Sequence, residues 1–341
     1  MRGTRNAVGG NSSRVRIPLP PLLTGDGLNW FPRVLRGILA YNEDIELVET
    51  LEPTVRKLMA EHRDRRKHWY FHDLVPWEQG RSFVKEPWDE SQATINERAR
   101  TSLVLNLLTE DNLPYYHTLL NRYMPDGSAW QEWTRLWTAE EGQHAIAIRS
   151  YLLTSRNCDP FELEDDRMAT MTNGYFPNYH RPAELFAYTS AQELATRVSH
   201  RNAGKITEDE TAFELMRNIA ADENHHFMFY KGVMQAMIDL NPAVALEGIL
   251  TTLRNFQMPG TGIPGFVRRS VEIAKAGVYN LRVHHDNVLL PLLKQWAIPE
   301  LKGLDAKASE LQEALMALPA EIMRKAERFE ARFGKAATAS V

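Results

Sequence analysis

Glu140-Glu141-Gly142-Gln143-His144 and Glu223-Asn224-His225-His226 are the two stretches that decide the fold. In each, a Glu and a His stand three residues apart. On a helix that is about 300° of rotation, so both side chains leave from one face. A carboxylate and an imidazole pointing together into a bundle can hold a metal ion between helices. Glu-x-x-His occurs at Glu141/His144 and Glu223/His226 and nowhere else in the chain. A lone Glu lies upstream of each on strongly helical sequence, Glu110 ahead of Glu141 by 31 residues and Glu193 ahead of Glu223 by 30. About thirty residues is one helix, a turn and the return along a neighbour. A single Glu-x-x-His means little, because roughly one chance match is expected in a chain of this His content. The mirrored pair, each with its upstream Glu, is much harder to reach by accident.

The rest of the composition is that of an ordinary globular chain. With 341 residues it can build one large core or two domains. Hydrophobic residues at 43% and charged residues at 25% place it among soluble proteins. A net charge of −4 gives no signal for nucleic acid. No apolar run is long enough for a transmembrane helix. The lone Cys158 excludes an intrachain disulfide and a Cys-rich metal site, and fits a reducing, cytoplasmic compartment. Residues 1–42 are Arg-, Gly- and Pro-containing and lack the apolar core of a secretory signal, so they are expected to be a partly disordered or extended arm. The Ala-rich residues 334–341 are expected to be a flexible tail, leaving 43–333 as one domain.

Along that domain every periodic stretch is helical. Helices are expected from Asp44 to about His68, from an N-cap at Ser91 to about Tyr123 with a bend at Pro114, and from about Ala129 to Ser155. A short helix follows Asp159-Pro160. Ala183 to about Asn202 is then expected as a helix closed by Gly204, with Thr207 capping the next, which runs to Leu240. Further helices are expected after Asn241-Pro242, over about 264–277 and 279–296, and from Ala306 to Phe333. No run alternates as a strand does. The fold class is all-α.

Four carboxylates and two imidazoles make a nitrogen and oxygen site without sulfur, which suits iron or manganese. The charges favour two ions. Four buried anions repel one another, and two divalent cations bring the formal sum to zero.

Several strings then carry a family resemblance. Trp137-Thr138-Ala139-Glu140-Glu141 with His144, Tyr188-Thr189-Ser190 with Gln192-Glu193 and Ala195-Thr196, and Ala220-Ala221-Asp222-Glu223 with His226 resemble the soluble acyl-[acyl-carrier-protein] desaturases. Thr109-Glu110 with Leu113-Pro114, Met258-Pro259, Gly277-Val278-Tyr279 and Leu318-Pro319 match in the same order, over about residues 45 to 333. The resemblance implies a ferritin-like four-helix diiron core with additional helices, in a homodimer. Glu141 and Glu223 would bridge two irons, with Glu110 and His144 completing one and Glu193 and His226 the other. Thr196 would lie beside the oxygen-binding face, Asp222 would orient a ligand His, and Trp69 would sit on the path of electron entry. The implied reaction is O2-dependent desaturation of a carrier-bound acyl chain, with electrons from ferredoxin. A saturated chain offers no polar handle, so an apolar tunnel must position it. Tyr116, Leu119, Tyr123, Trp137, Phe176 and Leu185 are its candidate lining. The carrier is acidic, and Arg63 and Lys67 in a basic run are candidate docking residues.

Two positions depart from the plant pattern: Gln143 and His225 stand where an Arg usually precedes the ligand His. Tyr123 and Leu185 are bulkier than the plant residues, which implies a shortened or reshaped tunnel. Other functions are compatible with the same metal core. One is a hydroxylase or other oxygenase acting on a carrier-bound chain. A radical-generating reductase subunit would want a Tyr one turn past the first motif, where Ile148 stands, although Tyr230 holds that place in the second half. An iron-storage protein of a different class would need about half this length.

Overall fold

The computed structural model describes residues 44–177 and 181–333, and the expectations for the N-terminal arm and the tail fall outside them. Among the described residues there is no strand. Four helices form the central bundle: α2 (Glu97–Glu110), α4 (Ala129–Thr154), α6 (Pro182–Ile206) and α7 (Glu210–Leu240). α3 (Leu113–Asn121) and α5 (Pro160–Asn173) connect them. α1 (Glu52–Arg65) packs across α4 and α7 on one side. α8 (Pro242–Arg254) packs on α6 and α7, and α9 (Phe266–Lys275) on α2. α10 (Leu281–His284) passes through a π turn (His285–Leu289) into α11 (Leu290–Gln295), and α12 (Ala306–Phe333) lies over α8.

Local chemistry explains the boundaries. α2 begins at Asn96, whose side chain accepts from the Ala99 N–H, and not at Ser91 as the sequence suggested. Ser91 lies in a single 3-10 turn capped by Asp89. The chain stays extended between them because the buried Asn157 side-chain oxygen takes the N–H groups of Thr94 (2.8 Å) and Ile95 (3.0 Å). The expected bend near Pro114 is a full break, with α2 ending at Glu110 and Pro114 in the first turn of α3. Gly204 does not end α6. A Cβ there would stand 2.9 Å from that of Met216, so the glycine serves the close approach of α6 and α7. Thr207 closes α6 by donating to the Gly204 carbonyl, and Asp209 caps α7.

The bundle interior is aromatic on one side of the acidic residues and mainly aliphatic on the other. The Trp133 and Phe229 rings stack 3.5 Å apart between α4 and α7, and Trp130 stacks on Phe186 of α6. Each such ring removes on the order of 150–250 Å² from water, which holds the four helices in fixed register around the polar centre.

Candidate metal centre

Glu110, Glu141, His144, Glu193, Glu223 and His226 are all buried, and they converge from the four bundle helices. They form two overlapping groups whose ligand atoms lie within 4.8 Å of one another: Glu110, Glu141, His144 and Glu223; and Glu141, Glu193, Glu223 and His226. Glu141 and Glu223 belong to both groups and each remaining residue to one. Two ions held there would share Glu141 and Glu223, with one further carboxylate and one imidazole available to each.

The histidines are aimed the same way. His144 Nδ1 faces Glu141 (3.1 Å), Glu223 (3.4 Å) and Glu110 (3.9 Å). His226 Nδ1 faces Glu141 (2.7 Å) and Glu193 (3.7 Å). Both Nε2 atoms point outward to a further carboxylate: His144 to Asp222 at 3.3 Å and His226 to Glu140 at 2.9 Å. The acid just before each Glu-x-x-His therefore serves the histidine of the other motif. Asp222 is thus placed against His144. Glu140 is placed likewise in the other half and was missed, although its adjacency to Glu141 mirrors that of Asp222 to Glu223.

Three more polar residues escaped sequence reasoning, of which His62 and Arg66 meet the site only through long-range packing. His62 of α1 bonds Glu140 through Nε2 at 2.9 Å. Arg66 clasps Asp222 through Nε (2.9 Å) and Nη2 (2.8 Å). His200, two turns beyond Glu193, places Nε2 3.0 Å from Glu110 and 3.5 Å from Glu223. Trp69 donates from Nε1 to Asp222 (2.9 Å) and its ring lies nearly parallel to His144. Thr196 donates from Oγ1 to Glu223 at 2.7 Å. His225 points away from the groups, edge-on to His62, as the motif face requires.

The donor set fits a pair of cations. Glu193 Oε2 and Glu223 Oε1 are buried without a hydrogen-bond partner, and both belong to the group in which Glu141 Oε1 and His226 Nδ1 face each other at 2.7 Å. Orphaned buried acceptors are costly unless something else satisfies them. Burial pushes the Glu110 carboxyl up to about 7 and Glu193 well above the carboxylate range. Burial opposes charge on His144 and His226, yet Glu141 foremost and the other carboxylates raise both well above the ordinary imidazole value. Metal must displace these protons, since Nδ1 and the carboxylates bind only when deprotonated. Loading two Fe(II) ions at pH 7 is therefore expected to release at least about two protons, from the histidines, with a further share from Glu110 and Glu193. Affinity should rise with pH by about 100-fold or more per unit between pH 6 and 8. Titrations at several pH values check this, and a pH-independent affinity contradicts it.

Beside the metal groups lies a cavity of about 300 Å³, lined mainly by apolar atoms and including Thr109, Thr196, Ser199, Met258 and Phe266. A second, nearly filled cavity of about 20 Å³, room for about one water, is lined by Tyr116, Leu119, Trp137, Leu185, Tyr188 and Gln192 among others. Four of the six candidate tunnel residues thus come together. Trp137 also donates to Glu193 at 3.0 Å. Tyr123 is half-buried at the end of α3 and does not line either cavity. Phe176 is 79% exposed, which corrects its placement: past Gly174, at positive φ, the ring packs edge-on against Tyr115 at the surface. Arg63 and Lys67 are exposed at the end of α1, and Arg63 pairs with Glu132. α1 packs on α4 and α7, whereas the larger cavity is lined from α2, α6 and α9, so the two candidate docking residues are not at that cavity.

The comparisons with known proteins agree with this geometry. The sequence profile described as fatty acid desaturase matches residues 43–341. DesA1 of Mycobacterium tuberculosis, assigned as an acyl-[acyl-carrier-protein] desaturase, is 39% identical over 298 residues, covering 84% of this chain and 88% of that protein. The stearoyl-[acyl-carrier-protein] 9-desaturase 1 of Arabidopsis thaliana, a chloroplastic protein, is 28% identical over 98% of this chain and 91% of its own length. The X-ray structure of DesA2 from M. tuberculosis, assigned as an acyl-ACP desaturase, superposes with a TM-score of 0.60 at 26% identity, over 78% of this chain and 99% of that one. Among the described residues no helix is long and apolar enough to cross a membrane. With the profile spanning nearly all of its sequence, and the bundle and its buried Glu and His groups in place, the chain belongs to the fatty acid desaturase family.

Proposed function

We propose that this enzyme is an acyl-[acyl-carrier-protein] desaturase that holds two irons, draws electrons from a ferredoxin and places a cis double bond in a saturated acyl chain. The carrier, a ferredoxin-type donor and a second copy of the chain are its partners in this reading. The observation that carries it is the adjacency of the two metal groups to the apolar cavity, with Thr196 touching both. The carrier-bound substrate is supported by the names of DesA1 and the plant relatives. The atoms balance as follows: –CH2–CH2– with O2, two electrons and two protons gives –CH=CH– and two waters. A diiron pair, when bound, supplies activation of O2 and removal of the two hydrogens.

The protein's own side chains supply the rest. Glu110, Glu141, Glu193, Glu223, His144 and His226 would hold the ions. Asp222 and Glu140 accept from the outward Nε2–H groups and so keep each Nδ1 free to bind. Thr196 keeps a hydroxyl proton at Oγ1, on the boundary between Glu223 and the cavity, where protons must be delivered as oxygen is reduced. The apolar walls exclude water and hold the chain in one register, which a substrate without polar groups cannot do for itself. Trp69, half-buried and bonded to Asp222, connects the surface to His144.

The test is mass spectrometry of an acyl-carrier panel incubated with reduced ferredoxin and air. Desaturation is expected to lower product mass by about two units. A gain of about sixteen units would instead establish hydroxylation on the same core. No change in any acyl chain, with O2 consumed only in oxidising iron, would favour storage.

A further inference from the structure

We propose that Arg66 is a positioning residue that ties the two halves of the metal centre together. The inference rests on the diiron reading above. Its guanidinium bridges the outer carboxylates of both histidines: Asp222 through Nε and Nη2 at 2.9 and 2.8 Å, and Glu140 through Nη1 at 3.5 Å. The three side chains are almost entirely buried, with 6%, 2% and 9% exposure for Arg66, Asp222 and Glu140. One cation is thereby shared between two buried anions, and each anion fixes a different imidazole. The planar fork suits this, since it delivers separate N–H groups along fixed directions to two acceptors.

The placement depends on where α1 stops. Arg66 is its C-cap, with φ −70° and ψ 126°, so the chain leaves the helix there. His62, one turn earlier, completes Glu140 from the same helix. Apart from His144 and His226 themselves, the motif helices supply no cation at this point. Gln143 reaches Asp222 only at 3.4 Å, and His225 turns to His62. α1 thus provides from outside the bundle the positive charge that Gln143 and His225 do not. The arrangement also gives the two ions unequal support: Asp222 receives a bidentate clasp and Trp69, while Glu140 relies mainly on His62 and one longer contact.

The experiment compares wild type with Arg66→Ala, Arg66→Lys, His62→Ala and Arg66→Ala/Gln143→Arg. Each is loaded with ⁵⁷Fe(II) and examined for iron affinity, Mössbauer doublets and thermal stability. Arg66→Ala is expected to weaken iron binding about 10–100-fold and to alter both doublets. His62→Ala should alter one doublet only. Arg66→Lys should recover part of the affinity, as a point charge cannot fork. Gln143→Arg, already within reach of Asp222, should restore the doublet of the ion held by His144. The inference is overturned if wild type holds two irons and Arg66→Ala shows the same affinity and doublets, whatever its melting temperature. A wild-type protein that binds no iron pair would remove the diiron reading itself, and this inference with it.

Discussion

Glu141→Gln is expected to leave a folded chain that no longer holds two irons and whose turnover falls by at least ~10³-fold, about 4 kcal/mol of transition-state stabilisation. The size of the effect follows from position. Glu141 is shared by both metal groups, with Oε1 2.7 Å from His226 Nδ1 and Oε2 3.1 Å from His144 Nδ1. Replacing its carboxylate by an amide of the same shape removes one anionic oxygen from each ion at once. Glu110 belongs to one group only, so Glu110→Gln should lose one ion preferentially and keep close to one iron per chain. Fold loss is a weak alternative explanation, because the amide fills the same space. The cost is an imperfect pairing with two imidazoles, about 1–3 kcal/mol, which lowers the melting temperature by several degrees. Iron content per chain, read beside thermal melting of the iron-free protein, checks the pair. Two irons retained by Glu141→Gln, or equal losses from both variants, would show that Glu141 does not bridge.

The six candidate ligands were legible in the sequence because helices convert spacing into direction, whereas the bridging role of Glu141 came only from the resemblance to the desaturases. Glu141 with His144 and Glu223 with His226 follow from the three-residue offset, and Glu110 and Glu193 from matching offsets upstream. The same periodicity could have revealed His200, seven residues past Glu193 on the same face, and the acid preceding each motif pointed to Glu140 as well as Asp222. His62 and Arg66 carried no such signal. They lie on a helix outside the bundle and meet partners about 80 and 156 residues away, which only packing brings together. Helix ends were misread where a buried side chain overruled local propensity, as Asn157 does at Thr94 and Ile95. Phe176 shows the opposite error, an aromatic named as lining from the resemblance, whereas its ring lies at the surface.

The second large effect concerns chain length. Leu185, the adjacent pair Tyr188 and Thr189, Gln192, Thr196 and Ser199 follow one another at three- or four-residue steps and form one stripe along α6. The first four line the nearly filled cavity and the last two the open one, so the stripe reads as a single path past Glu193 whose far end is plugged. Leu185 is fully buried at that end. Leu185→Ala removes three carbons from the plug, space for about two to three methylenes of substrate. A methylene in an apolar pocket is worth about 1–3 kcal/mol, so kcat/KM for an acyl chain two carbons longer should rise by at least about 10-fold relative to the preferred one. The variant should lose about 2–5 kcal/mol of stability, part of which returns when the longer chain fills the space. Tyr123→Ala is the control, because Tyr123 lines neither cavity and its truncation should leave the preference unchanged. Competition between acyl carriers of graded length measures both. If Tyr123→Ala shifts the preference and Leu185→Ala does not, the acyl chain leaves the metal groups by another route, and the α6 stripe is core packing alone.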